Sequence, residues 1–116
     1  MPSPSERDSR LYVEDMLEFC DRVLEYSRGV AQSEFVHDRM RYDATLRNLE
    51  LLGEAATHVS QELRDKAPAL PWRLVIATRN RLLHAYLGID DDTVWSIVTD
   101  DVPALRQGLA ELLVSI

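Results

Sequence analysis

Along residues 11–29, LYVEDMLEFCDRVLEYSRG, the apolar positions Leu11, Met16, Phe19, Val23, Leu24 and Tyr26 recur mostly at spacings of three, four and seven. That is the period of an amphipathic helix, and Gly29 supplies its stop. After a short connection containing Ser33 and Phe35, residues 38–66 place Met40, Leu46, Leu49, Leu52, Ala56, Val59 and Leu63 without a proline, so one long second helix is expected. At about 1.5 Å per residue it would span roughly 40 Å, more than a compact chain of this size needs, which points to self-association as a two-fold dimer. Gly53 interrupts this helix at a cost of about 1 kcal/mol relative to alanine. Either another helix approaches closely there, or the glycine is simply tolerated.

The prolines of KAPALP end the second helix, and Pro71 can open a third, expected from Trp72 to Tyr86 with a stop near Gly88. GIDDDTVWSIVTD offers aspartate caps for a short fourth helix, and Asp101 with Pro103 starts a fifth, PALRQGLAELLVSI. No stretch alternates cleanly enough for a strand. The expected fold is an all-α up-and-down bundle of four to five helices, formed by residues 11–116 as one domain behind a frayed segment over 1–10.

Composition narrows the classes of function. No run of about 18 apolar residues is present and MPSPSERDSR lacks a signal peptide's apolar stretch, so a cytoplasmic protein with no membrane contact is expected. Cys20 is the sole cysteine, which rules out an intrachain disulfide and suits a small core residue in a reducing compartment. The net charge of −7 argues against a broad basic surface for nucleic acid. Its distribution changes that picture. Residues 66–89 carry four bases (Lys66, Arg73, Arg79, Arg81) and no acid, a local +4 between flanks of −6 and −5.

Within that basic segment, ATRNRLLHAYLG crowds Arg79, Asn80, His84 and Tyr86 onto a helix otherwise read as core. At about 100° per residue, Arg79 and Tyr86 share one face and Asn80 and His84 another, while Arg79 and His84 point about 140° apart. Arg79 and His84 could grip one group if the helix loosens at its end, or if a second copy of the same helix forms the opposite wall of a dimer cleft. Such a cleft, with no carboxylate nearby in sequence, suits RNA cleavage without a metal. Histidine can move the 2′-hydroxyl or leaving-group proton, and arginine's fixed fork can pair phosphorane oxygens. Asn80 could orient His84, and Tyr86 could bind phosphate or stack on a base. A histidine on an apolar helix is more often a satisfied structural group, so residue types and spacing alone leave both readings open.

RNRLLHAY fits the R-x4-H-x-Y pattern of HEPN domains. LRNLELLGEAATHVS, PWRLVIATRNRLLHAYLGID and TVWSIVTDDVPAL resemble, in order and over nearly the whole chain, the HepT-like branch of HEPN toxins. The resemblance implies a homodimer with the motif at the dimer cleft and a metal-independent endoribonuclease, needing no cofactor, that acts as the toxin of a toxin–antitoxin pair. Its partner would be a minimal nucleotidyltransferase antitoxin, which can silence the toxin by adenylylating the motif tyrosine. Carried onto this sequence, the catalytic residues are Arg79 and His84, Asn80 and Tyr86 position the RNA substrate, and Tyr86 is the modification site. The rival reading is a non-catalytic helical dimer that binds a nucleotidyltransferase or a nucleotide through the same cleft.

Other clusters carry less. His58 lies four residues from both Glu54 and Glu62, a spacing that could form a metal face, but paired Glu-x-x-His motifs are absent and no metal is expected. His37 reads as a surface residue, Trp72 and Trp95 as core or interface anchors, and Arg47 with Glu50 as a surface ion pair or a cleft wall.

Overall fold

The computed structural model describes residues 4–84 and 89–116, and all regular structure among them is helical. Helix α1, Pro4–Ser27, buries the row Val13, Met16, Cys20 and Val23 completely. It begins seven residues before the expected onset at Leu11, which is itself 53% exposed. The segment expected to fray is tied down at its inner end. Ser9 Oγ accepts from the Ser60 backbone N–H at 2.9 Å. The Arg10 guanidinium donates to the Ile116 carbonyl at 3.0 Å, satisfying a carbonyl at the end of the last helix. Gly29, at φ 73°, supplies the left-handed residue just past the end of α1.

A short helix absent from the sequence reading, α2 (Gln32–His37), places Phe35 in the core against Tyr42 and Trp95. Helix α3 runs only from Arg39 to Thr57, capped at its start by Asp38. The single helix expected over 38–66 is therefore broken. Ser60 accepts from the Leu63 N–H and opens the short α4, Gln61–Arg64. Arg64 turns back to donate to the Ala56 and Val59 carbonyls at 2.8 and 3.1 Å, satisfying the end of α3. With 19 residues, α3 is about 28 Å long, so the 40 Å rod that argued for self-association does not exist.

Helix α5, Trp72–Leu83, begins after Pro71 and ends earlier than expected, with His84 as its C-cap; Tyr86 and Gly88 lie outside the described residues. Trp72 is buried as anticipated and its indole N–H donates to the Ala67 carbonyl. Helix α6, Asp91–Ser96, is capped by Asp90, whose carboxylate accepts from the Thr93 backbone and hydroxyl. These hydrogen bonds hold the Asp90 carboxyl below its ordinary range.

The expected break before the last helix is absent. A π-helical turn, Ile97–Asp101, carries α6 directly into α7, Val102–Ser115, and Asp101 caps nothing with its side chain. Pro103 explains the turn. It has no N–H and its ring would strike the carbonyl four residues back in a tight α-helix, a conflict that a wider turn relieves. Val94, Val98, Val102, Leu105, Leu109 and Leu112 stay on one buried stripe through the turn.

In space α1 packs between α3 and α7, and α5 packs on α3. Helix α5 is antiparallel to α3, since Gly53 faces Val75 and Arg79 while Arg64 joins Ala56 to the face of Trp72. An apolar groove lined by Leu49, Leu52, Leu74, Val75, Ile97 and Val102 remains between α5 and the π turn. No described helix is long and apolar enough to cross a membrane.

Burial pushes the Cys20 thiol up to about 12, and burial together with the hydrogen bond to Asp91 pushes Tyr42 up to about 12. Both groups ionise more easily unfolded, at the ordinary 9.0 and 10.0, so their contribution is complete below pH 9.0 and lost as pH rises toward 12. The melting temperature should fall steadily across that window. Dithionitrobenzoate should label Cys20 in denaturant and leave it unlabelled in the native protein.

Candidate active site

The inward row of α5 is Trp72, Val75 and Leu82, all buried against the bundle. Arg79 occupies the missing position of that row, four residues after Val75 and three before Leu82. A core-facing arginine needs room for its stem and a partner for its charge. The helix opposite provides both. A Cβ on Gly53 would collide with Arg79 Cβ and stand 3.0 Å from the Val75 carbonyl oxygen, so the glycine is what allows α3 and α5 to meet there. Next to it, Glu54 Oε2 lies 2.5 Å from Arg79 Nη2, and Asn80 Oδ1 accepts from Nη1 at 3.0 Å.

The network continues away from α5. Glu54 Oε1 is 3.3 Å from His58 Nε2, and the His58 ring stacks on Tyr12 of α1 with centroids 4.7 Å apart and planes at 20°. Three helices are thus linked through one carboxylate. The Arg79 side chain is 28% exposed and Glu54 47%, so solvent screens the pair and its net contribution to stability is about 1 kcal/mol at most. Its importance is geometric, because it fixes where a permanently charged fork points.

His84 leaves the helical path at φ −104° and ψ 58°, with its side chain exposed, directly after the last residue of α5. The helix thus loosens at His84, one of the two arrangements under which His84 and Arg79 could serve one group. The structure brings Arg79 and Asn80 together; Asn80, expected to turn toward His84, meets Arg79 through its carbonyl oxygen. Asp91, where the chain enters α6, is held to α3 by the Tyr42 hydroxyl at 2.8 Å.

Sequence reasoning missed Glu54 as the partner of Arg79, having considered it only for a metal face with His58 and Glu62. The signal was the adjacent glycine, which marks a close helix approach. Among the described residues no three His, Cys, Asp or Glu side chains converge to hold a metal ion. Arg47 and Glu50 form the surface ion pair, at 3.2 Å.

A family model described as Ribonuclease HepT-like matches residues 16–112, a stretch that includes both the α3–α5 contact and the R-x4-H-x-Y segment. The chain belongs to the HepT-like ribonuclease family. Within that HepT-like family it is similar to "Putative RNase MJ1380" of Methanocaldococcus jannaschii, 36% identical over 89% of this chain and 94% of the relative. It is also similar to "Probable ribonuclease HepT" of Thermococcus cleftensis, 32% identical over 87% and 92%. "Putative RNase TTE0752" of Caldanaerobacter subterraneus is 31% identical over 90% and 93%. No solved structure matches the chain significantly.

Replacing Gly53 by alanine forces α3 and α5 apart at Arg79. Overpacking of this kind costs about 1–3 kcal/mol, of which alanine's better helix propensity returns about 1 kcal/mol, so thermal melts should show a transition lowered by up to about 10 °C. A variant that melts above the wild type, showing only the gain in helix propensity, would mean that the approach at Gly53 is not a constraint.

Proposed function

We propose that the chain is a metal-independent endoribonuclease, the toxin of a toxin–antitoxin pair, with its active site built on Arg79, Asn80, His84 and Tyr86. The observation that carries this reading is the arginine in the core-facing row of α5. It is held by residues of two helices, and a histidine sits where that helix ends. Membership of a ribonuclease family supports it.

The chemistry follows from the side chains. A base removes the proton of an RNA 2′-hydroxyl, whose oxygen attacks the adjacent phosphorus. The pentacovalent phosphorane then expels the 5′-oxygen, which takes a proton from an acid and leaves a 2′,3′-cyclic phosphate. His84 serves as base or acid, each role contributing about 10²- to 10⁴-fold. Arg79 pairs the non-bridging oxygens as charge accumulates on them, a stabilisation of about 3–4 kcal/mol by analogy with oxyanion sites. Asn80 and Tyr86 position the substrate.

A two-fold homodimer would supply a second His84, so that one acts as base and the other as acid. The apolar groove beside α5, with Leu74 54% exposed at its rim, supports a face for that association. The antitoxin partner is a minimal nucleotidyltransferase. Adenylylation of Tyr86, in which its oxygen displaces pyrophosphate from ATP, would put bulk and negative charge in the cleft and exclude RNA. Both partners and RNA meet in the cytoplasm.

Purified protein should cleave RNA in the presence of EDTA and leave 2′,3′-cyclic phosphate ends. Arg79→Ala and His84→Ala should each lower the rate by about 10²-fold or more. Equal activity of all three proteins would favour the binding module instead. Sedimentation at micromolar concentration checks the dimer separately, and a monomer there refutes it.

A further inference from the structure

We infer that Glu54 is a positioning residue for the proposed ribonuclease: through a hydrogen-bonded ion pair it fixes the plane of the Arg79 guanidinium, with His58 and Tyr12 as its backing. The inference rests on the functional reading above and goes beyond it, since the R-x4-H-x-Y segment contains no carboxylate. Arg79 is constrained at both ends. Its stem is pressed against the bare Cα of Gly53, and its terminal nitrogens are tied separately, Nη2 to Glu54 and Nη1 to Asn80.

A guanidinium has five N–H donors in one plane. Two are spent on these protein acceptors, which leaves three in fixed directions for a phosphate. Glu54 in turn is held from swinging away, because its other oxygen meets His58 Nε2 and the His58 ring is stacked on Tyr12. Aiming a permanent cation in this way before substrate arrives removes reorganisation from the chemical step.

The carboxylate also has an electrostatic effect of opposite sign. It cancels the charge of Arg79 as seen by a distant polyanion and so weakens RNA attraction. Orientation and charge can be separated by two variants. Glu54→Gln keeps an oxygen that accepts from Nη2 and removes the charge, whereas Glu54→Ala removes both. Both variants should therefore bind RNA somewhat more tightly and show a lower KM. Only alanine should lose turnover, with kcat down about ten- to hundredfold, the scale on which misplacement of a reacting group acts. The glutamine variant should stay within about threefold of wild type, since the hydrogen bond that sets the orientation is retained.

The experiment is steady-state cleavage of a defined RNA by wild type, Glu54→Gln, Glu54→Ala and Arg79→Ala. It is paired with ¹⁵N spectra of the Arg79 side chain recorded without RNA. Slow rotation about the Nε–Cζ bond in wild type and Glu54→Gln, fast rotation in Glu54→Ala, and the predicted split between kcat and KM support the assignment. Unchanged rotation or unchanged kcat in the alanine variant overturns it. So does a glutamine variant as inactive as alanine, which would make the carboxylate's charge or proton the essential property. If wild type cleaves no better than Arg79→Ala, the ribonuclease reading fails, and the spectra still decide whether Glu54 orients Arg79. Glu54 is half exposed, and circular dichroism melts identify a variant that has lost its fold. Should Glu54→Ala unfold the chain, Glu54→Ser replaces it under the same criteria.

Discussion

The close approach of α3 to α5 at Gly53 is the constraint on which the candidate site depends. An arginine in a core-facing row is normally a conflict, since its charge loses hydration and its stem has the wrong shape for an apolar seam. Removing one side chain from the opposite helix accommodates the stem, and a carboxylate at the next position compensates the charge. Each half of the arrangement requires the other. With alanine at 53 the helices could not meet, and without Glu54 the guanidinium would sit at a helix seam with fewer partners.

Helix termini do the rest of the positioning. Ser60 and Arg64 close α3 soon after Glu54 and His58, so the Glu54–His58–Tyr12 link lies at the end of a helix, beside α1, instead of midway along a rod. On the other side α5 stops at Leu83, which frees His84 from the direction an ideal helix would impose. The π turn before Pro103 performs a related task farther away. It lets one apolar stripe run from Val94 to Leu112 past a residue that would otherwise break the helix, and the α6–α7 unit can then cover α1 while Tyr42 holds its first turn to α3.

Much of this was legible in the residues. Periodicity placed most of the helical segments, Gly29 marked a real end and Pro71 a real start, and Trp72 is buried as expected, whereas the second helix stops at Thr57, well before the prolines of KAPALP that were expected to end it. What failed rests on features that the apolar period does not carry. The break at residues 58–60 depends on a serine cap and on an arginine returning from the following helix, neither of which disturbs the apolar period. The fusion of the last two helices reversed a sound rule: proline near an aspartate usually starts a helix, but here a wider turn absorbs it. The early start of α1 rests on contacts from Ser9 to Ser60 and Arg10 to Ile116, which are distant in sequence. For the site, spacing along one helix brought out Arg79, Asn80, His84 and Tyr86. It could not bring out Glu54, because pairing between helices is set by register and not by local pattern.

The charge pattern then acquires a physical reading. An isolated positive segment in a chain of net charge −7 looks like an anion site, yet its central arginine is already neutralised by Glu54. Long-range attraction for a polyanion is consequently small overall and is weakened at Arg79 itself. On the proposed function, discrimination then comes from short-range geometry. A phosphate gains from Arg79 only when its oxygens reach the remaining N–H groups of a fork whose plane the protein has set, and a loosely placed RNA backbone gains little. That design trades general affinity for orientation, so a substitution that strengthens RNA binding at this site need not strengthen cleavage.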